Sequence, residues 1–583
     1  MANVLTMSRS PTRRRLLAGL GTVTTGALAG CAQRLWPGPQ DGPRQVSLSI
    51  KTTPAQDDPI AAMIVSQLEE NLRAAGVDAV REPMEQSELY RDVLVEREFE
   101  IFVSRYPDLD DVDGLRSMLH SQFVGEQGWQ NPFGFSDPTV DEYLEAQLSE
   151  TGERRRQTLA ELFEYLLDTA PYTAIAFPDR LAAATSDFGL ERPPRRPTDF
   201  LELLNARPND EPLRIGTFRL SSTDRLNPIT VDATNAAIIL DLLYDPLVRH
   251  TDDDEPVPWL AETISWRDPA VSGDRLVATV ELHDELRWHD GTSLDATDVA
   301  FTFEFLGDTS LGEAEGNVPS LRYRGRESLV DDVTVLDART VEVEFYGPSR
   351  AVAERALTVP ILPEHVWEPR SELVGDLWTE ALTVDNDDPI GSGPFSFVDA
   401  STDLIELEPF DEHVLRTEGV PGYDSPDTDS VTNSLEFHLS PGPGAVIEGL
   451  LEGTVDVIAD WLTPEDVEPV ETEPNVSVLR DQTRSFYLVG YNIHQPQLGN
   501  PNFRQIVSQL VDREHVVDEI FSGYAQPATT PSSLVGIKDD EMDELVNSIV
   551  PSFPGSDGVI DEEQVRSRFE DAGYRYENGT LMA

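Results

Sequence analysis

From Val46 to the end of the chain the apolar residues keep changing period, and that alternation constrains the fold more than any other feature. Val46-Ser47-Leu48-Ser49-Ile50 alternates apolar and polar side chains, which predicts a half-buried strand. Ile60, Met63, Ile64, Leu68 and Leu72 then recur at helical spacing up to Gly76, a stop signal. Strand-like Phe99 to Val103 and helical Thr158 to Leu167 follow, and the proline-rich stretch Glu191 to Thr198 marks a boundary. A fresh strand opens at Leu213-Arg214-Ile215-Gly216. Beyond it lie strand-like Arg275 to Leu282, helical Ala296 to Leu306, strand-like Thr340 to Phe345 and helical Phe503 to Phe521. Such mixed spacing predicts an α/β or α+β architecture with more than one lobe, and about 540 residues suffice for two or three domains.

The residues before this body read as an address. Thr12-Arg13-Arg14-Arg15-Leu16-Leu17 places adjacent arginines ahead of a short apolar run, the pattern of a twin-arginine export leader. That run, Leu16 to Leu28, is broken by glycines and threonines and falls short of the ~20 apolar residues a bilayer crossing needs. Leu28-Ala29-Gly30-Cys31 closes it and resembles the lipobox of prokaryotic lipoproteins, which implies cleavage before Cys31 and acylation of its sulfur. Residues 1–31 are thus expected to be a signal peptide and residues 32–45, rich in proline and glycine, a flexible tether. Cys31 is the sole cysteine, so neither a disulfide nor a cysteine-held metal is available.

Charge narrows the class further. The chain carries 107 acidic and 44 basic residues, a net charge of −63, with Lys51 and Lys538 its only lysines. It would repel nucleic acids and anionic headgroups, which excludes a polyanion-binding role. The 39% of hydrophobic residues nevertheless suffice for a core. At molar salt the Debye length falls to about 3 Å, so this carboxylate density becomes tolerable, and the composition reads as that of a halophile of archaeal type.

Several segments carry a family resemblance. Asp241-Leu242-Leu243-Tyr244-Asp245-Pro246-Leu247-Val248, Pro258-Trp259-Leu260-Ala261-Glu262, and above all Leu286-Arg287-Trp288-His289-Asp290-Gly291-Thr292 through Asp298-Val299-Ala300-Phe301 are similar to conserved stretches of one family. So are Pro389-Ile390-Gly391-Ser392-Gly393-Pro394-Phe395, Gly449 to Val457, and Asn502 to Glu514 with Gly523 to Ala528. The family is that of extracellular solute-binding proteins, family 5, which serve oligopeptide, dipeptide and nickel ABC importers. The resemblance implies a bilobal periplasmic-binding-protein type II fold, hinge-linked lobes and a ligand cleft.

The order of segments departs from the family. Ala572-Gly573-Tyr574 to Gly579 resembles a stretch that should run into a further strand and about 150 more residues, yet the sequence given stops at Ala583. Segments resembling that continuation lie in front: Val46 to Ile50, Glu69 to Val80, Glu98 to Asp108, Asn131 to Leu144, and Arg154 to Ala174. A circular permutation is therefore expected, with an incomplete tandem copy as the alternative. Residues 46–205 would be the family's C-terminal third, 213–487 the first lobe with an inserted subdomain at about 259–388, and 488–583 the rest of the second lobe. The hinge would pass near Tyr487 to Asn492 and Tyr172 to Phe177.

Family membership implies capture of a peptide or other small solute, delivery to an ABC permease and ATPase, and residence on the outer face of the cytoplasmic membrane through the Cys31 lipid. Arg105 aligns near the position where peptide binders use an aspartate, followed by Tyr106 and Asp108, and a short gap would bring Asp108 or Asp110 there instead. A guanidinium fork suits a carboxylate or phosphate, although pairing with surface acids explains Arg105 equally well. Ser221, Ser222, Trp461, Tyr487, Tyr491 and Asn492 are the other cleft candidates. The nine histidines show no paired spacing, so no protein-built metal cage is expected, though a chelated metal remains open as cargo. No cofactor is implied, and a monomer is expected. With no nucleophile elbow and no phosphate loop, a secreted hydrolase is the weak alternative, and docking on a chemoreceptor is another. Asn475-Val476-Ser477 and Asn578-Gly579-Thr580 fit glycosylation acceptors.

Overall fold

The computed structural model describes residues 44–583 except 108, 110–112, 151, 206–210, 219–225, 231–235, 252–254, 268–274, 348, 376, 418–432, 460–461 and 529–551. Residues 1–43, with Cys31, lie outside the described residues. Gln45–Ala583 forms a single compact unit.

The first expected helix shows how local chemistry sets an element. Strand β1 (Ser47–Thr52) leads into α1 (Pro59–Ala74), where Asp58 caps the helix by accepting from the Ala61 amide at 2.9 Å and Pro59 occupies the first turn. Gly76, at φ +86°, ends it, and a Cβ there would lie 2.6 Å from the Gly579 carbonyl, so no larger residue fits. The buried stripe is Ile60, Ala61, Ile64, Val65, Leu68 and Leu72, whereas Met63, which shares the spacing, stands 39% exposed. Farther along, α3 (Ala296–Gly307) begins as its sequence suggests, with Asp295 accepting from the Thr297 amide. The expected helix Phe503 to Phe521 is broken instead. It runs Pro501–Ser508, stops, and restarts at Arg513 because Asp512 caps a new turn through the His515 amide at 3.2 Å.

One mixed sheet of 12 strands organises the body. Its remaining strands are β2 (Asp78–Pro83), β3 (Ile101–Tyr106), β4 (Tyr172–Thr185), β5 (Leu213–Phe218), β10 (Phe395–Ala400), β11 (Leu404–Pro409), β12 (Leu435–Ser440), β13 (Val457–Ile458), β14 (Val476–Gln482), β15 (Phe486–Tyr491) and β16 (Ala525–Pro527). The order is β10-β11-β12-β5-β13-β4-β15-β3-β1-β2, with β14 and β16 also pairing with β4. Between β5 and β10 an insertion folds a separate sheet from β6 (Ala261–Arg267), β7 (Leu276–Leu282), β8 (Val330–Asp337) and β9 (Thr340–Phe345), in the order β8-β9-β7-β6.

The 14-residue β4 belongs to both halves of the large sheet. Tyr172 to Pro178 pairs with β15 and β16, and Asp179 to Thr185 pairs with β14 and β13. A register shift opposite Tyr487/Leu488 inserts Ile175 as an extra residue just before this change of partners. The backbone therefore crosses between halves at Pro178/Asp179 and again at Thr483 to Ser485, a few residues from the stretches where the sequence placed the hinge.

Both ends of the described chain share one half and one core. The Val46 amide donates to the Leu581 carbonyl at 2.9 Å, the Leu581 amide donates to Gly76 at 2.9 Å, and Gln45 bridges Met582. Val46, Leu48 and Ile50 are buried in the same cluster as Val489, Tyr491, Phe503, Phe569 and Leu581. Because Leu581 is fully buried, Leu581→Ala is expected to lower stability by about 2–5 kcal/mol. Calorimetry should show one shifted transition. An early, separate melting of residues 46–190 would contradict the shared core.

Candidate ligand cleft

Strands β5, β12 and β13 are parallel to one another, as are β1, β2 and β3. In open α/β sheets the crevice for ligands forms outside the carboxyl ends of such strands. Here β15 and the middle of β4 lie between the two parallel groups, so the carboxyl ends of both groups flank the two crossings. The candidate cleft therefore lies over Phe177 to Leu181 and the start of β15.

On the β3 side of this candidate cleft three side chains come together. Tyr487 opens β15 directly opposite Arg105 at the end of β3, so both project from the same face of the sheet. Across from them stands Asp58, in the turn that follows β1. The Tyr487 hydroxyl donates to both Asp58 carboxylate oxygens at 3.2 Å. Burial pushes the Asp58 carboxyl up from its ordinary value, opposed by the Ala61 amide, the Tyr487 hydroxyl and the Arg105 charge. Burial likewise holds the Tyr487 phenol high, with the Asp58 charge adding to the effect. A carboxylate and a guanidinium thus share one half-buried corner with a phenol between strand and helix.

The other residues singled out in the sequence separate by position along the strands. Tyr106 sits beside Arg105 but faces the opposite core, edge-on to Trp129 at 5.0 Å and stacked on Phe486 at 5.3 Å. Tyr491 and Asn492 lie at the far end of β15, roughly 13–17 Å from Tyr487 at the usual strand rise. The Tyr491 hydroxyl pairs with the Thr173 hydroxyl at 2.6 Å, and burial pushes its pKa up to about 12. Asn492 donates to the Phe99 and Arg97 carbonyls at 2.9 and 3.2 Å and so fastens the loop before β3. Asp108, Asp110, Ser221, Ser222 and Trp461 lie outside the described residues.

Asp58 escaped sequence reading because an aspartate before Pro59 is first of all a helix cap. Its position just after a strand was the available signal. At the crossing itself, buried Arg180 donates to the Ala459 carbonyl at 2.8 Å and holds the end of β13, while Arg480 donates to Asp179 at 2.6 Å. A cavity of ≈ 570 Å³ lies beside the β10–β11 turn, lined by Leu226, Asp387, Phe397 and Leu439, and shares no residue with the Asp58 corner. Among the described residues no cluster of histidine and carboxylate side chains could hold a metal ion, and no helix is long and apolar enough to cross a membrane.

The raised Asp58 pKa has a sign that can be checked. A carboxyl that holds its proton more tightly when folded loses stability as pH rises from 3.8 through the raised value. Asparagine caps helices as well as aspartate and carries no such linkage. The stability advantage of an Asp58→Asn protein over the native chain should therefore grow across that window and level off above it. Thermal unfolding between about pH 3 and about pH 8 measures this, and a constant or shrinking difference would refute it.

A model of the bacterial extracellular solute-binding proteins, family 5 Middle, matches residues 255–582. An ABC transporter peptide-binding protein of Brucella ovis is 24% identical over 359 residues, which cover 61% of this chain and 59% of that protein. The oligopeptide-binding protein AppA of Bacillus subtilis is 26% identical over 323 residues, covering 55% and 52%. This chain thus spans less than two thirds of either relative. The structure of AppA from Bacillus subtilis in complex with a nonapeptide aligns with a TM-score of 0.47 at 22% identity, covering 63% of this chain and 66% of that one.

Proposed function

Since the chain belongs to family 5 of the bacterial extracellular solute-binding proteins, a family of binding proteins and not of catalysts, we propose that it is the substrate-binding component of an ABC importer. It captures a peptide or a similar small solute between the two halves of the sheet and presents it to a permease driven by an ATPase. The observation that carries this reading is the pair of crossings at Pro178/Asp179 and Thr483 to Ser485 beneath the carboxyl ends of two parallel strand groups. Two bodies joined there can close over a ligand by small dihedral changes at few residues. Asp58 and Arg105 supply opposite charges in one corner, a match for the zwitterionic ends of a peptide.

The leader and Cys31 extend the proposal to location: export by the twin-arginine route and lipid attachment at Cys31, on the outside of the membrane of a halophile. Mass spectrometry of the protein purified from native membranes in high salt reads both parts. It should find a co-purified peptide and an acylated Cys31, and Arg105→Ala should then bind that peptide at least about tenfold more weakly. Absence of any bound solute, together with no binding of peptide mixtures, would sink the importer reading. Unchanged affinity would remove Arg105 from the site.

A circular permutation accounts for the chain order within this reading. Its support is that Leu581 pairs with Val46 and Gly76, so the segments resembling the family's continuation lie beside the residues they would follow. A relinked chain that starts at Pro212, runs to Ala583, and continues through a short linker into Gln45–Asn205 is expected to fold with a similar melting temperature. Failure of that chain to fold would favour an incomplete tandem copy.

A further inference from the structure

The halves meet at a second place, far from the backbone crossings in sequence, where buried charged side chains lie beside apolar ones, Leu115, Met118 and Leu119 sharing one buried cluster with Leu321 and Leu329. After β3 the chain forms α2 (Gly114–Leu119) and the loop to Asn131. In the insertion of the other half it forms α4 (Arg324–Glu327) with flanking residues 320–358. Arg116 donates to the Ser328 hydroxyl at 3.0 Å, Arg355 pairs with Asp113 at 3.5 Å, and Gln130 donates to the Ser320 carbonyl at 3.2 Å. Arg324 donates to Glu126 through Nε at 3.1 Å and Nη2 at 3.3 Å, while its Nη1 donates to Glu327 of its own helix at 2.6 Å. Phe123 is fully buried, with the Arg116 and Arg324 guanidinium groups over its ring at 5.5 and 5.8 Å. Backbones approach closely as well: a Cβ on Gly128 would stand 2.5 Å from the Leu321 carbonyl, and one on Gly325 would stand 2.7 Å from Ser117.

No backbone joins these segments. Asp113, Arg116, Gln130, Ser328 and Arg355 are each less than a tenth exposed, yet a swing about the two crossings would return all of them to water. We propose that this face is the latch of the closed state: it forms when the halves shut, opens when they part, and sets how much of the ligand-free protein is already closed. The proposal rests on the hinge-closure reading above. Charged pairs suit such a role because each strong contact in the shut state has hydration as its competitor in the open one. The bidentate Arg324–Glu126 pair also fixes the register in which the faces meet.

The test uses the full chain without ligand. Fluorescent labels on Leu336→Cys in the insertion and Val559→Cys in the other half, both exposed, report the opening by single-molecule energy transfer in a Cys31→Ser background. Glu126→Gln and Arg324→Gln should each raise the open-to-closed ratio roughly tenfold, and the double variant should add little, because either change breaks the same pair across the seam, while the Glu327 contact that Arg324→Gln also removes lies within the insertion. Ser328→Ala, which removes Arg116's partner across the seam and, within the insertion, the Ser328 hydroxyl's bond to the Gly325 carbonyl, serves where a charge variant folds poorly and should shift the ratio in the same direction. Two states with a ratio that no variant moves would overturn the latch and leave the hinge standing. A single state in every chain would overturn both.

Discussion

The ladder of β4 is the constraint on which the rest of the molecule depends. A strand can keep its own hydrogen bonds satisfied only by pairing on both edges or by meeting water, and β4 does so by pairing with β15 and β16 before Pro178 and with β13 and β14 after it. Each half of the sheet is therefore completed by part of the same strand. The bulge at Ile175 bends β4 just ahead of the change of partners, and Thr483 to Ser485 make the return connection beside it. The backbone passes between the halves at these few residues, while the side-chain core that Phe102, Tyr106 and Phe486 share with Leu213 and Phe437 spans both. The position of the cleft follows from that arrangement.

Much of the secondary structure was legible in the sequence because it is decided locally. Asp58-Pro59 and Asp295 announce helix starts, and the alternation in Val46 to Ile50 and Thr340 to Phe345 announces strands. Errors came where one residue has two readings. Asp512 continued a helical pattern in sequence but acts as a cap, splitting the predicted helix at that point. Met63 fitted the spacing of an apolar stripe yet falls on its solvent edge. The site was less legible than the fold, because register is a non-local property. Nothing local says that Arg105 faces Tyr487 across a ladder, that Asp58 lies within reach of the Tyr487 hydroxyl, or that Tyr491 and Asn492 point to the other end of the same strand.

Arginine supplies all but two of the basic residues in this acidic chain, and the structure shows where that choice matters. Arg504 donates to the Ala170 carbonyl at 2.8 Å and the Leu498 carbonyl at 2.6 Å, and Arg180 donates to Ala459. A planar group with five donors can tie together backbone carbonyls from separate elements while remaining charged, whereas a lysine ammonium binds as a strongly hydrated point. Guanidinium groups such as those of Arg180 and Arg504 therefore sit at junctions, while carboxylates outnumber them elsewhere, a few, such as Asp113 and Asp245, being buried against arginines.

That division of charge also bears on closure. Two bodies in a chain of net charge −63 repel as they approach, and in dilute salt this repulsion reaches across about 10 Å or more. In molar salt its range shrinks to about 3 Å, whereas charges removed from water at a packed interface are screened far less. Salt therefore weakens the force that keeps the halves apart more than the contacts of Arg116, Arg324 and Arg355 that hold them together. A carboxylate-rich surface with an arginine-rich seam is consequently expected to shut more readily as salt rises.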